Sequence, residues 1–326
     1  MMTRIGIYGW GNLGKAVADN LPNFPDMQLK VIFSRRPQVV VAQAPKGVAV
    51  ASVSDMEKWT DKIDVLLLCS GSATDLPEQT PAAVKLFNVV DSFDTHANIP
   101  THFAAVDKAA KASSHLGLIS AGWDPGLFSL SRALFNAFLP NGVDYTFWGK
   151  GVSQGHSDAI RRVAGVKRGV QYTVPRDTAI ERVRSGEQPA LSTREKHLRE
   201  CFVVAENGAD CAKIETEIKN MPNYFSDYDT VVHFISEKEF ERDHKQMPHG
   251  GFVLRSGNNT EEYKSLLELN IKLDSNPHFT SGVLLAYARA VKRLFDNGAR
   301  GCITVFDVPP SALFVGTLDD MRKHLL

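Results

Sequence analysis

The chain opens on a short apolar run, Ile5 to Tyr8. Glycine-punctuated residues follow, and then a helical spacing that begins at Lys15-Ala16-Val17-Ala18. Further apolar runs stand at Leu29 to Phe33, Val65 to Cys69, Asn88 to Asp91 and Leu116 to Ser120, with helical stretches between them. Continuous runs such as Val65-Leu66-Leu67-Leu68 are what strands buried on both faces of a parallel sheet require. The alternation of such strands with helices predicts an α/β, Rossmann-type doubly wound parallel sheet up to about residue 121. The texture then changes. Asp144 to Trp148, Gln171 to Val174, Cys201 to Ala205 and Val231 to Ile235 read as strands of a separate, mostly antiparallel sheet in an α+β domain. Between Thr178 and Leu198 lies a charged, helix-to-loop stretch that reads as a solvated face. From His278 to Phe295 a helical apolar pattern returns, through Val283, Leu284, Tyr287, Ala290 and Leu294. That helix is expected to pack back on the first domain and make it discontinuous. The expected division is 1–121 with about 278–326 for dinucleotide binding, and 122–277 for substrate binding and dimerisation.

Composition narrows the class. At 326 residues two domains are the prior, and 43% hydrophobic content is ordinary for a soluble globular chain. The 37 basic and 37 acidic residues cancel, which argues against a nucleic-acid partner held by bulk charge. No apolar stretch is long enough to span a bilayer. The first strand begins within a few residues of the N-terminus, so no signal peptide is expected and the predicted location is cytoplasmic. Cys69, Cys201, Cys211 and Cys302 lack disulfide or metal spacing, and no metal site is expected.

The candidate chemistry starts at Gly9-Trp10-Gly11-Asn12-Leu13-Gly14, a G-x-G-x-x-G between a strand and a helix. Gly9 suits the tight turn, Gly11 the approach of a pyrophosphate, and Gly14 close helix–strand packing. The helix start offers free N–H groups to phosphate. Where an NAD site would carry an acidic residue after the second strand, this chain has Ser34-Arg35-Arg36. Two guanidiniums suit a 2′-phosphate, so the expected cofactor is NADP.

In such sheets ligands sit beyond the carboxyl ends of the strands. Those ends carry Ser70-Gly71-Ser72-Ala73-Thr74, Ser92-Phe93-Asp94 and Gly122-Trp123-Asp124-Pro125. Asp94 is either a carboxylate for a substrate ammonium or the N-cap of the helix beginning near Ile99. The segment Trp148 to Arg162, with three glycines and a polar run including Gln154 and Gly155, has the composition of a binding loop. Thr173 shares a strand face with Gln171. Arg199 is either an edge residue or a carboxylate anchor, His249 lies in a small-residue turn, and Asn276 precedes Pro277.

Together these residues resemble the meso-diaminopimelate dehydrogenase family. The likeness rests on GNLG at 11–14, FSRR at 33–36, CSGSATD at 69–75, ISAGWDPG at 119–126, WGKGVSQGHSDAIRR at 148–162, QYT at 171–173, MPHGG at 247–251 and LDSNPHFT at 273–280. Tyr8 and Trp10 depart from the family's Val and Tyr. The resemblance implies NADP binding by Gly11 to Leu13, Arg35, Arg36, Ser70 to Thr74, and the loops at Asp94 and Gly122 to Pro125. It implies a pocket for meso-diaminopimelate built from Asp94, Asp124, Trp148, Gln154, Gly155, Thr173, Arg199, His249 and Asn276. It further implies NADP-dependent oxidative deamination of the D-centre, with Asp94 or Asp124 managing the amine, in lysine biosynthesis by a homodimer. Two other readings stay open: a non-catalytic NADP-sensing regulator, and a dehydrogenase of aspartate or homoserine.

Overall fold

The computed structural model describes residues 2–326, which form fourteen strands with intervening helices. In chain order the strands are β1 (Thr3–Tyr8), β2 (Met27–Ser34), β3 (Ala49–Ser52), β4 (Val65–Leu68), β5 (Asn88–Asp91), β6 (Leu116–Leu118), β7 (Gly142–Trp148), β8 (Gly151–Val152), β9 (Val166–Pro175), β10 (His197–Ala205), β11 (Asp229–Phe234), β12 (His249–Asn258), β13 (Lys264–Leu273) and β14 (Gly301–Ile303). By contacts the chain divides into two compact units, Met1–Leu130 with Pro277–Leu326, and Ser131–Asn276. Residues 122–130 thus go with the first unit, whereas the sequence reading began the second domain at 122.

The first unit holds a seven-stranded parallel sheet in the order β14-β6-β5-β4-β1-β2-β3. The strand order reverses between β1 and β4, the switch point at which such sheets open a crevice. Successive side chains point to opposite faces, and both faces are covered. Ile5, Ile7, Leu67 and Val90 pack with Val17 and with Leu284, Leu285, Ala288 and Val291 of the helix Asn276–Asp296. Tyr8, Phe33, Leu66 and Leu68 pack with Leu76, Ala83, Val106 and Ala110 from the helices Leu76–Ala83 and Ile99–Ser113. The doubly wound reading therefore holds. The sequence reading omitted two strands of this sheet, β3 and the closing strand β14, each too short to show a period.

The second unit carries two sheets. One has four strands, β11-β10-β9-β8, and the other three, β13-β12-β7. All pairs are antiparallel except β10 with β11. The helices Gln154–Arg161 and Cys211–Lys219 contribute Ile160, Ile214 and Ile218 to a core with Cys201 and Val203. The helix Asp177–Arg184 packs Ala179, Ile180 and Val183 against Tyr145, Phe147 and Leu254 of the smaller sheet. Among the described residues no helix is long and apolar enough to cross a membrane.

One buried carboxylate organises the crevice end of the parallel sheet. Asp91, the last residue of β5, is fully inaccessible. It accepts from Thr80 Oγ1 at 2.8 Å, from the Phe93 N–H at 3.1 Å and from the Ser120 N–H at 2.8 Å, and meets His102 Nε2 at 2.7 Å. Its backbone carbonyl accepts from the Ala121 N–H at 2.9 Å. The loops after β5 and β6, which carry Asp94 and Asp124, thus start from a common hub. Replacing Asp91 with alanine strands several buried donors, and breaking one buried polar network of this kind costs about 3–5 kcal/mol. The Asp91→Ala variant is expected to lose that much in urea or guanidinium unfolding, with a lowered midpoint and unchanged slope.

Candidate active site

The nucleotide end follows from backbone constraints. Gly9 has φ of +102°, a conformation few L side chains adopt. A Cβ on Gly14 would lie 2.1 Å from the Gly9 carbonyl oxygen, so only glycine allows the helix Asn12–Asn20 to start this close to β1. A Cβ on Gly11 would meet nothing within 4 Å, which leaves the helix start open to a ligand, and no side chain caps that helix. Leu13 and Ala18 pack at the margin of the adjoining core, and Asn12 opens the helix.

These features line a cleft of about 700 Å³ with Tyr8, Gly9, Gly11, Lys15, Ser34, Arg35, Arg36, Ser70, Gly71 and Asp75. Arg35 is 72% exposed and pairs with Asp75 at 3.2 Å, while the Arg36 N–H donates to Ser34 Oγ at 3.0 Å. Asp75 also accepts from the Gly71 N–H at 3.1 Å, joining the loop after β4 to the arginines after β2. Open N–H groups, two guanidiniums and no carboxylate at the end of β2 fit a phosphorylated dinucleotide.

At the next strand end Ser72 Oγ donates to Asp94 Oδ1 at 2.5 Å and accepts from the Asp94 N–H at 2.9 Å. Asp94 is exposed and caps no helix, since Thr95 and Asn98 occupy the two N-cap positions that follow. The N-cap alternative is therefore set aside. Phe93 is 1% exposed and stacked on His102 at 4.3 Å, so its side chain belongs to the core and only its backbone is free to meet a ligand. Ser92, Ser72 and Asp75 are half-buried, while Ala73 and Thr74 are exposed. After β6, Trp123 is buried with its ring edge-on to Phe128 at 5.2 Å, and it bridges to Gly126. That turn leaves Asp124 half-buried beside Pro125, with Gly122 buried beneath.

The second unit gathers the other predicted residues. Arg199 lies on β10 in register with Thr173 of β9 and Thr230 of β11. It is 7% exposed, donates from Nη1 to Thr173 Oγ1, and lies over the Tyr228 ring at 3.8 Å. No carboxylate among the described residues pairs with it, and its Nε has no partner. Burial pulls its pKa below the usual value, with Tyr228 acting against that shift. A guanidinium stays charged even so. The edge-residue alternative therefore fails, because this cation is inside.

Trp148 ends β7, with 37% of its surface exposed. Its N–H donates to His197 Nε2 at 2.9 Å, and its ring stacks on that imidazole at 5.5 Å. Burial, and then the charge of Arg199, push His197 down to about 3, which keeps it a neutral acceptor. Gln154 and Gly155 are exposed at the start of the helix Gln154–Arg161, where Gln154 Nε2 reaches Met247 Sδ at 4.0 Å. His156 meets Ser153 Oγ through Nδ1 at 2.8 Å and packs edge-on against Tyr224 and Phe225, and burial pushes it down to about 4. His249 is the first residue of β12 and not part of a turn. Gly151 admits its ring, since a Cβ there would lie 2.4 Å from the imidazole. Asn276 starts the helix Asn276–Asp296, and its N–H donates to the Met247 carbonyl at 3.0 Å. Sequence reasoning missed His197, His156 and Tyr228. Extending the β10 alternation two residues back from Arg199 would have placed His197 on the same face.

The comparisons follow the same lines. Residues 122–275 match the family model for the diaminopimelic acid dehydrogenase C-terminal domain. A meso-diaminopimelate D-dehydrogenase from Ureibacillus thermosphaericus is 58% identical over 99% of both chains. The solved C. glutamicum DAP dehydrogenase in complex with DAP is 43% identical, with a TM-score of 0.91 over 99% of both chains. An engineered D-amino acid dehydrogenase bound to NADP+ is 41% identical, with a TM-score of 0.87 over 100% of both. The chain belongs to the meso-diaminopimelate dehydrogenase family.

Proposed function

We infer that the chain is an NADP-dependent meso-diaminopimelate D-dehydrogenase. The observation that carries this reading is Arg199, a buried cation beside Thr173 with no carboxylate partner among the described residues. Burying an unpaired charge is costly unless a ligand completes it, and the distal carboxylate of an amino diacid has the right charge and geometry. The reaction converts the D-centre amine to an imine, which water hydrolyses to L-2-amino-6-oxopimelate and ammonium. Bound NADP+ supplies the acceptor for the hydride that leaves the D-carbon.

The chain's own residues bind, orient and move protons. Asp94, fixed by Ser72, and Asp124 hold the D-centre ammonium, and one of them takes the proton the amine must lose. Arg199, Thr173, His249 and Asn276 hold the far end of the substrate, while Trp148, Gln154 and Gly155 shape the walls around its chain. The loops Gly9 to Gly14, Ser34 to Arg36 and Ser70 to Thr74, with the Ser92–Asp94 and Gly122–Pro125 segments, hold the dinucleotide. The first unit is then the dinucleotide domain and the second the substrate domain. The reading places the enzyme in the cytoplasm, in lysine biosynthesis, as a homodimer. Phe138 at 67% and Leu134 at 51% exposure support a self-association surface on the second unit.

Substrate-dependent NADPH formation with diaminopimelate isomers, against aspartate and homoserine, tests the assignment; reduction with meso-diaminopimelate is expected, and its absence overturns it. Arg199→Met is expected to raise the KM for meso-diaminopimelate roughly 10- to 100-fold, the loss of a charged hydrogen bond, and to relax selectivity toward simpler D-amino acids. Retained activity and discrimination would remove the anchor. Arg35→Ala with Arg36→Ala is expected to weaken NADP+ binding about tenfold or more in calorimetric titration, leaving NAD+ binding unchanged. Light scattering of the purified protein is expected to give twice the chain mass, and Phe138→Asp to reduce it to one.

A further inference from the structure

Arg199 uses one guanidinium donor on Thr173, and its Nε is buried without a partner. A guanidinium has five donors in a plane, so one hydrogen bond leaves the plane free to turn about that contact. What fixes the plane is Tyr228, whose ring centre lies 3.8 Å from the guanidinium carbon and whose hydroxyl also interacts with the guanidinium. The backbone of Tyr228 is tied to the core of the second unit. Its N–H donates to the Phe225 carbonyl at 3.0 Å, and Phe225 is fully buried in the core beneath the four-stranded sheet. His156 packs edge-on to Phe225 at 5.5 Å, tying this segment to the start of the helix that bears Gln154 and Gly155. Two residues on from Tyr228, Thr230 is in register with Arg199 across the β10–β11 pair.

We propose that Tyr228 is a specificity-determining positioning residue: its ring is the platform that holds the Arg199 guanidinium flat, so that its free edge meets the distal carboxylate. This role of Tyr228 rests on Arg199 acting as the anchor for the distal carboxylate and adds the part that orients it. Stacking of a guanidinium on an aromatic face is favourable, and the contact gains when water is excluded. A tilted guanidinium would still carry its charge but would lose the paired geometry on which selection of a carboxylate depends.

The test is a double-mutant cycle read as KM and kcat for meso-diaminopimelate, with Tyr228→Leu and Arg199→Met alone and combined. Tyr228→Leu is expected to raise KM about tenfold, the scale of one desolvated cation–π contact, with kcat changed less than about threefold. Tyr228→Phe, which keeps the ring and loses only the hydroxyl, is expected to recover most of the KM change seen with leucine. In the Arg199→Met background, Tyr228→Leu is expected to add nothing, whereas a merely structural role would persist there. An unchanged KM in Tyr228→Leu overturns the proposal, as does an equal penalty in both backgrounds or a Tyr228→Phe variant as impaired as the leucine. If Arg199→Met alone leaves KM unchanged, the anchor reading fails first, and the two failures are told apart. NADP+ affinity by calorimetry and the thermal midpoint report whether each variant is folded.

Discussion

The crevice end of the parallel sheet depends on a carboxylate that no solvent reaches. Asp91 closes β5 and takes hydrogen bonds from two neighbouring loops, a helix hydroxyl and an imidazole. Inside a protein such a network is stiff when every member is satisfied, because any departure leaves a polar group unpaired in a poor solvent. The consequence is positional. Asp94 lies three residues beyond Asp91, and Asp124 four beyond Ser120, so both acidic loops leave from fixed points. Ser72 then fixes the side chain of Asp94 from the adjoining strand end.

The second unit solves the opposite problem. Where Asp91 is fully partnered, Arg199 is buried with its Nε unpartnered and no carboxylate beside it among the described residues. The groups near it are kept uncharged: burial and the guanidinium's own field hold His156 and His197 well below their ordinary range. The imidazoles are therefore hydrogen-bonding and stacking parts, and the positive charge on that face of the sheet is concentrated in one planar group. A ligand that brings a carboxylate gains from this arrangement, and one that brings an apolar end leaves the charge uncompensated.

Much of this was legible in the chain. Continuous apolar runs marked the parallel strands, and the G-x-G-x-x-G motif placed the turn whose tolerance for glycine alone is visible at Gly9 and Gly14. Arg35 and Arg36 were readable because an acidic residue was missing from its usual place. Other parts were hidden for physical reasons. The hairpin β12–β13 was half legible: Leu267, Leu269, Ile271 and Leu273 alternate with Glu268, Asn270 and Lys272 as a half-buried strand should, but β12 begins in glycines, which read as a turn. The parallel pairing of β10 with β11 has no local signature, since pairing direction depends on the connection between strands. His197, His156 and Tyr228 act through partners 29 to 69 residues away in the chain, and single-sequence periodicity carries no information at that range.

The solitary charge at Arg199 also sets a direction for change in this scaffold. A residue whose desolvation is uncompensated in the resting protein is a standing cost to folding, and an apolar replacement of similar length relieves it. Drift toward substrates with uncharged tails therefore runs downhill in stability, while recovery of the diacid preference must climb. Descendants of such an enzyme should shed their strictness more readily than they regain it.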